Sequence, residues 1–224
     1  TRDGLVGNPL ISNGRIFQGG SQSQVFANDL KTGKLLWTYE PLADRPPGSF
    51  LETWLRSINR GVALYEDLVI VGTSDCRLVA IDQATGGKRW EAETCDVQRA
   101  YMITGAPRVG GGKIFIGNSC ADMGLNRGHV DAVDARTGKY LWRFYTVPGD
   151  PNKPQDSELY EMAAKTWGDG WYEKTRGCGS VWDAMVYDPE LDQLIIGTGA
   201  PAPSDPTKRG KDAGDELFTN AVVA

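Results

Sequence analysis

The 224-residue chain is poor in histidine, having only His129. A single imidazole cannot assemble a multi-histidine metal site, and His129 reads as a polar strand position. No Cys-x-x-Cys occurs, so the four cysteines lack zinc-ligand spacing. Neither Gly-x-Gly-x-x-Gly nor a P-loop is present, which removes the common nucleotide cradles. No apolar run approaches the ~18 residues a membrane helix needs, and no secretory leader is recognisable. Basic residues do not dominate: 24 Lys and Arg face 29 Asp and Glu. With a net charge of −5, no nucleic-acid partner is expected. Thr1 is not an initiator Met, so the natural N-terminus is expected elsewhere.

The chain does have 28 Gly, 12 Pro and 7 Trp, a makeup that favours many short strands joined by turns. One pattern occurs three times: Ala-x-Asp-x-x-Thr-Gly-x-x-x-Trp. Its copies are Ala27, Asp29, Thr32, Gly33, Trp37; Ala80, Asp82, Thr85, Gly86, Trp90; and Ala132, Asp134, Thr137, Gly138, Trp142. A near-constant period of 53 and then 52 residues marks a repeat architecture. The Asp and Thr side chains can bond nearby backbone N–H groups, and Gly can take a positive φ, so the motif reads as a hairpin. Apolar runs flank it, as in Val25-Phe26-Ala27 and Leu35-Leu36-Trp37-Thr38-Tyr39. Further runs precede it: Leu68–Gly72, Lys113–Gly117, Val62–Tyr65 and Met102–Gly105.

The reading is all-β: a β-propeller of four-stranded antiparallel blades with Trp-docking motifs, with about four of eight blades present. Blades are expected near 1–40, 60–96, 100–147 and 180–224, with an insertion over 148–179. The fourth is expected to open at Ser180-Val181-Trp182. It reaches Ala224, where a fourth motif would begin, so the chain reads as part of a longer one. The motif Trp residues are expected to fill the gaps between blades. Within the insertion, Glu158–Lys165 reads as a short helix. Its aromatics Trp167, Trp171 and Tyr172 leave open a sugar-binding face.

The segments between the motifs carry a more specific likeness. They are Asn59-Arg60-Gly61, Ile103-Thr104-Gly105-Ala106-Pro107, Gly117-Asn118-Ser119-Cys120-Ala121-Asp122, Trp142–Pro151, Gly179-Ser180-Val181-Trp182-Asp183 and Gly197-Thr198-Gly199-Ala200-Pro201. In this order they resemble the quinoprotein (PQQ-dependent) alcohol and methanol dehydrogenases over nearly the whole chain. The resemblance implies oxidation of a small alcohol at pyrroloquinoline quinone, beside Ca²⁺ or a lanthanide. Electrons would pass to cytochrome c or a membrane quinone, and a haem c would belong to a C-terminal domain beyond this sequence. A periplasmic location is expected if the cysteines pair as disulfides, with any membrane association lying in parts beyond this sequence.

The resemblance implies quinone contacts from Arg60, Thr104, Ser119, Cys120, Ala121, Ser180 and Trp182, and a metal ligand at Asp122. It places the catalytic base beyond Ala224, so this stretch alone is expected to be inactive. Three positions depart from the family: Val6 replaces an acid, Trp54-Leu55 replaces adjacent cysteines, and Ala200 replaces a ligating Asn. The four cysteines can pair in three ways. Cys76 and Cys95 fall nearly opposite each other across the second hairpin. Cys120 and Cys178 belong to loops that the resemblance brings to one axial cavity. Both bridges together would mark an oxidising compartment. A non-catalytic propeller serving as an envelope scaffold uses the same blade motif and is the alternative.

Overall fold

A computed structural model describes residues 6–43, 56–99, 101–120, 126–203, 205–209 and 214–224. The first sheet is the antiparallel meander β1 (Leu10–Ser12), β2 (Arg15–Gly19), β3 (Val25–Asp29) and β4 (Leu35–Tyr39). The second comprises β5 (Val62–Tyr65), β6 (Leu68–Gly72), β7 (Arg77–Asp82) and β8 (Lys88–Glu93). The third comprises β9 (Arg108–Gly110), β10 (Lys113–Gly117), β11 (His129–Asp134) and β12 (Tyr140–Tyr145). The fourth has three strands: β13 (Met185–Asp188), β14 (Gln193–Gly197) and β15 (Val222–Val223).

The hairpin motif works as its residues require. Asp29 Oδ1 accepts from the Thr32 amide at 2.7 Å and from the Thr32 hydroxyl at 2.7 Å. Asp82 and Asp134 repeat the pattern with Thr85 and Thr137. These bonds favour the ionised carboxylate and hold all three acids below the usual Asp range. Gly33, Gly86 and Gly138 follow at φ +69°, +74° and +71°, a region other residues enter only with strain. In each copy the register slips just after the motif Ala: Ala27/Asn28, Ala80/Ile81 and Ala132/Val133. A bulge recurring at one motif position is a built feature of the repeat.

The sheets stack face to face. Strands β6 and β7 are sandwiched on both sides, which explains their unbroken apolar runs. Val69, Val71, Val79 and Ile81 pack with Phe17, Val25 and Ala27 of the first sheet. Ile70, Leu78 and Ala80 face the other way, onto Ile114 and Ile116 of the third. Phe115, Val130 and Ala132 in turn meet Met185 and Ile196 of the fourth. Each such fully buried aliphatic or aromatic side chain is worth roughly 1.5–3 kcal/mol of transfer free energy.

Two of the three motif Trp residues, Trp37 and Trp90, lock this stack, whereas Trp142 is 36% exposed. The Trp37 ring lies against Gly86 of the next motif, so close that a Cβ there would be 2.8 Å from it. Its indole N–H donates to Gln83 O at 3.1 Å. Trp90 covers Gly138 in the same way.

Two expectations are corrected. Met102–Gly105 is a loop: only Met102 pairs, bridging Ser119, because the Thr104 carbonyl is turned toward Arg60. The first strand of the third sheet is β9. Ser180-Val181-Trp182 is likewise no strand; Val181 N–H goes to Asn118 O at 3.1 Å, and the fourth sheet begins at Met185.

The 148–179 insertion forms α1 (Glu158–Ala164) and α2 (Trp171–Thr175); a third helix, α3 (Pro206–Arg209), follows the fourth sheet's central strand. Trp167 and Trp171 turn inward onto Val147, and Trp167 donates to Leu217 O at 2.7 Å. They are core, so they present no stacking face for a sugar. His129, expected as a polar strand position, is also a core residue, 2% exposed.

Candidate functional site

Loops at one end of the sheets bring the candidate residues together. Arg60 lies two residues before the start of β5, and Thr104 lies in the loop before β9. The Arg60 amide donates to Thr104 O at 3.0 Å, tying the two loops by backbone. The Arg60 guanidinium then donates through Nη1 to Thr104 Oγ1 at 2.6 Å. Its Cζ stands 4.5 Å from the centroid of the Trp182 ring, within cation–π range. Trp182 is 44% exposed, unusual for so large an aromatic surface, and its ring is open to a planar partner.

Glycines permit the close approach. A Cβ on Gly105 would lie 2.4 Å from Trp182 O, and one on Gly117 would overlap Val181 O. Any side chain at either position would push the 180–182 loop away from Thr104.

Arg60 is partly buried, and desolvation lowers its pKa, against which Asp183 acts by attraction. A charge held with incomplete solvation is one that an anionic or carbonyl-bearing ligand can still satisfy. Thr104 Oγ1 accepts from Arg60, which leaves its own O–H to donate. A cleft of about 380 Å³ opens beside Arg60, lined also by Val6, Asn8, Arg108 and Asp183.

The second group of predicted residues adjoins the first. Ser119 exchanges backbone hydrogen bonds with Met102, at 3.0 and 2.7 Å, two residues before Thr104. Ser180 is buried, and its carbonyl accepts from Gly199 N–H at 2.7 Å. Cys120 and Cys178 are disulfide-bonded, Cα–Cα 5.9 Å, joining the 118–120 loop to the segment leading into Ser180. Cys76 and Cys95 form the second bridge, Cα–Cα 4.9 Å, just outside the Arg77–Glu93 pair of β7 and β8. Ala121, Asp122 and Trp54-Leu55 lie outside the described residues.

An exposed indole ring, a guanidinium over it and a hydroxyl free to donate fit a flat, anionic, carbonyl-bearing cofactor. A metal is a different matter. Among the described residues no three His, Cys, Asp or Glu side chains gather, and Ala200 contributes only a methyl.

Arg108 and Asp183 are functional candidates that the sequence did not single out. Their signal is three-dimensional: 75 residues apart, they meet as an ion pair at 3.2 Å in the cleft beside Arg60.

Stacked meanders with Trp-on-Gly locks and an Arg–Thr–Trp cluster at their loop end define a propeller of the quinoprotein type. Residues 4–224 match the PQQ family model, described as glucose/ethanol/alcohol dehydrogenase, beta-propeller domain, and the chain belongs to that family. Lupanine 17-hydroxylase [cytochrome c] of a Pseudomonas species is 50% identical, covering 99% of this chain and 32% of its own length. The solved structure of quinohemoprotein alcohol dehydrogenase ADHIIG from Pseudomonas putida superposes with a TM-score of 0.89 at 43% identity, over 99% of this chain and 32% of that one. A europium-containing methanol dehydrogenase superposes with a TM-score of 0.77 at 26% identity, over 98% and 41%. The chain thus spans about a third of the length of the curated relatives it matches.

Proposed function

We propose that the full-length protein is a quinoprotein oxidoreductase that oxidises an alcohol to an aldehyde or ketone. The observation that carries this is the Arg60–Thr104–Trp182 cluster, which a structural scaffold would not need. Such a quinone, when bound, supplies the two-electron acceptor for the alcohol. Trp182 offers its ring as the platform. Arg60 and Thr104 donate hydrogen bonds to the cofactor's oxygens, and Ser119 and Ser180 supply further hydroxyls. The Cys120–Cys178 bond holds the facing loop, and Ala121 is assigned to the quinone by its position in the family motif alone.

Asp122 is assigned as a metal ligand for Ca²⁺ or a lanthanide, by its carboxylate chemistry and position in the family motif. The europium enzyme among the relatives supports a metal of that hard, oxygen-seeking class. The relatives named for haem and cytochrome c support cytochrome c as acceptor, with haem c in another part of the full chain; a relative named alcohol dehydrogenase (quinone) supports a membrane quinone as the other candidate. Two disulfides support a periplasmic location.

The test is reconstitution of the full-length protein with PQQ and either Ca²⁺ or La³⁺, followed by dye-linked oxidation of primary and secondary alcohols. Lupanine joins the panel because of the 50% identical relative. Quinone-dependent dye reduction is expected, together with loss of the metal-stimulated activity in Asp122→Ala. No dye reduction by any substrate would refute the reading.

A further inference from the structure

We propose that Arg108, acting with Asp183, is a positioning residue that sets the Trp182 platform against Arg60 and Thr104; this rests on the quinone-site reading above. Arg108 lies at the start of β9, three residues after Gly105. Its guanidinium makes contacts in three directions. Nη1 donates to Ala106 O at 3.0 Å, Nε to Met185 O at 3.1 Å, and Nη2 to the Asp183 carboxylate at 3.2 Å. One planar group therefore grips the Thr104 loop on one side and both flanks of residue 184 on the other.

Residue 184 needs that grip. Ala184 has φ +59°, a left-handed conformation that an alanine adopts only when its surroundings impose it. The turn at Ala184 decides how the chain leaves Trp182, one residue before Asp183. Trp182 O in turn abuts Gly105, the neighbour of Thr104. A relaxed turn at 184 would shift Trp182 relative to the Arg60 guanidinium now 4.5 Å from its ring.

Bulk stability is a poor explanation for the pair. Arg108 is 36% exposed and Asp183 42%, so solvent screens their attraction and its contribution to folding is small. What the fork supplies is geometry, which a lysine cannot reproduce because its single ammonium lacks the planar, multi-directional donors.

The test uses full-length apo-protein labelled with 5-fluorotryptophan, with the Trp182 ¹⁹F resonance assigned through Trp182→Phe. In Arg108→Ala the Trp182 resonance is expected to shift or broaden while other indole signals stay in place. Arg108→Lys should restore it only in part, and Asp183→Asn serves if Arg108→Ala fails to fold. Titration with PQQ should show about tenfold weaker binding in Arg108→Ala, with the melting temperature nearly unchanged. An unmoved Trp182 resonance with unaltered PQQ affinity would overturn the proposal. So would a general shift of all indole signals with a large drop in melting temperature, which marks a purely structural role. If wild-type protein takes up no PQQ, the site reading fails, while the fluorine spectra still decide the positioning role.

Discussion

Arg60 holds its guanidinium carbon 4.5 Å from the centroid of the Trp182 ring, across 122 residues of sequence. The same guanidinium donates to Thr104 Oγ1, so ring, cation and hydroxyl form one unit. Thr104→Val removes the hydroxyl but leaves the Thr104 carbonyl to accept the Arg60 amide. Loss of one hydrogen bond of about 1 kcal/mol is expected to weaken quinone binding roughly fivefold. Arg60→Ala removes a charged donor and should cost roughly 1.5–3 kcal/mol, or about 10- to 100-fold. Equilibrium dialysis of PQQ against full-length variants checks both.

The two disulfides give a second expectation. Denatured, unreduced chain should show no free thiols over these residues, and four after reduction. By chain-entropy reasoning, the 19-residue separation of Cys76–Cys95 corresponds to about 3 kcal/mol, and the 58-residue separation of Cys120–Cys178 to about 4 kcal/mol. Paired serine substitution at Cys120 and Cys178 should also weaken quinone binding, since that bond holds the site loop. Paired substitution at Cys76 and Cys95 should lower stability alone.

Trp-on-Gly docking can be isolated by a double-mutant cycle. Gly86→Ala forces a left-handed alanine, about 1–2 kcal/mol, and places its methyl 2.8 Å from the Trp37 ring. In a Trp37→Ala background only the first cost remains. Denaturant unfolding should therefore show Gly86→Ala more damaging beside Trp37 than without it, with a coupling of about 1 kcal/mol or more.

His129 makes stability pH-dependent. Burial lowers its pKa below the ordinary value, against the attraction of Asp131 and the carbonyls of Thr94 and Arg127. The unfolded chain therefore binds a proton at a higher pH than the native one. Above the unfolded value of about 6.5 the group contributes no pH dependence, and stability falls as pH drops below it. His129→Gln should flatten the fall in melting temperature as pH drops below about 6.5; an unchanged slope would exclude His129 as its source.

Much of the architecture was legible because the repeat writes its own boundaries. Asp, Thr and Gly fix the hairpin, and the apolar runs near them fall on β3, β4, β5, β6 and β10 almost residue for residue. Helix α1 was legible from its composition. The 102–105 and 180–182 segments were misread as strands, because a short apolar run looks the same in a ladder as in a loop pressed against a neighbouring blade. The buried state of Trp167, Trp171 and His129 was hidden for a related reason. Each is covered by residues distant in sequence: Val147 and Leu217 for the tryptophans, Thr94 and Tyr101 for the histidine.

For the site, family likeness named Arg60, Thr104 and Trp182, and the geometry unites them. It could not name Arg108, whose role depends on which carbonyls its fork reaches. Nor could it show that Ala184 is left-handed.

The most direct measurement is a PQQ titration of full-length apo-protein in the presence of Ca²⁺, comparing wild type with Trp182→Ala. The expected result is one quinone per chain in the wild type, with quenching of tryptophan fluorescence, and at least tenfold weaker uptake in the variant. No uptake by the wild type, or equal uptake by both, would contradict the claim that Arg60, Thr104 and Trp182 form a quinone site.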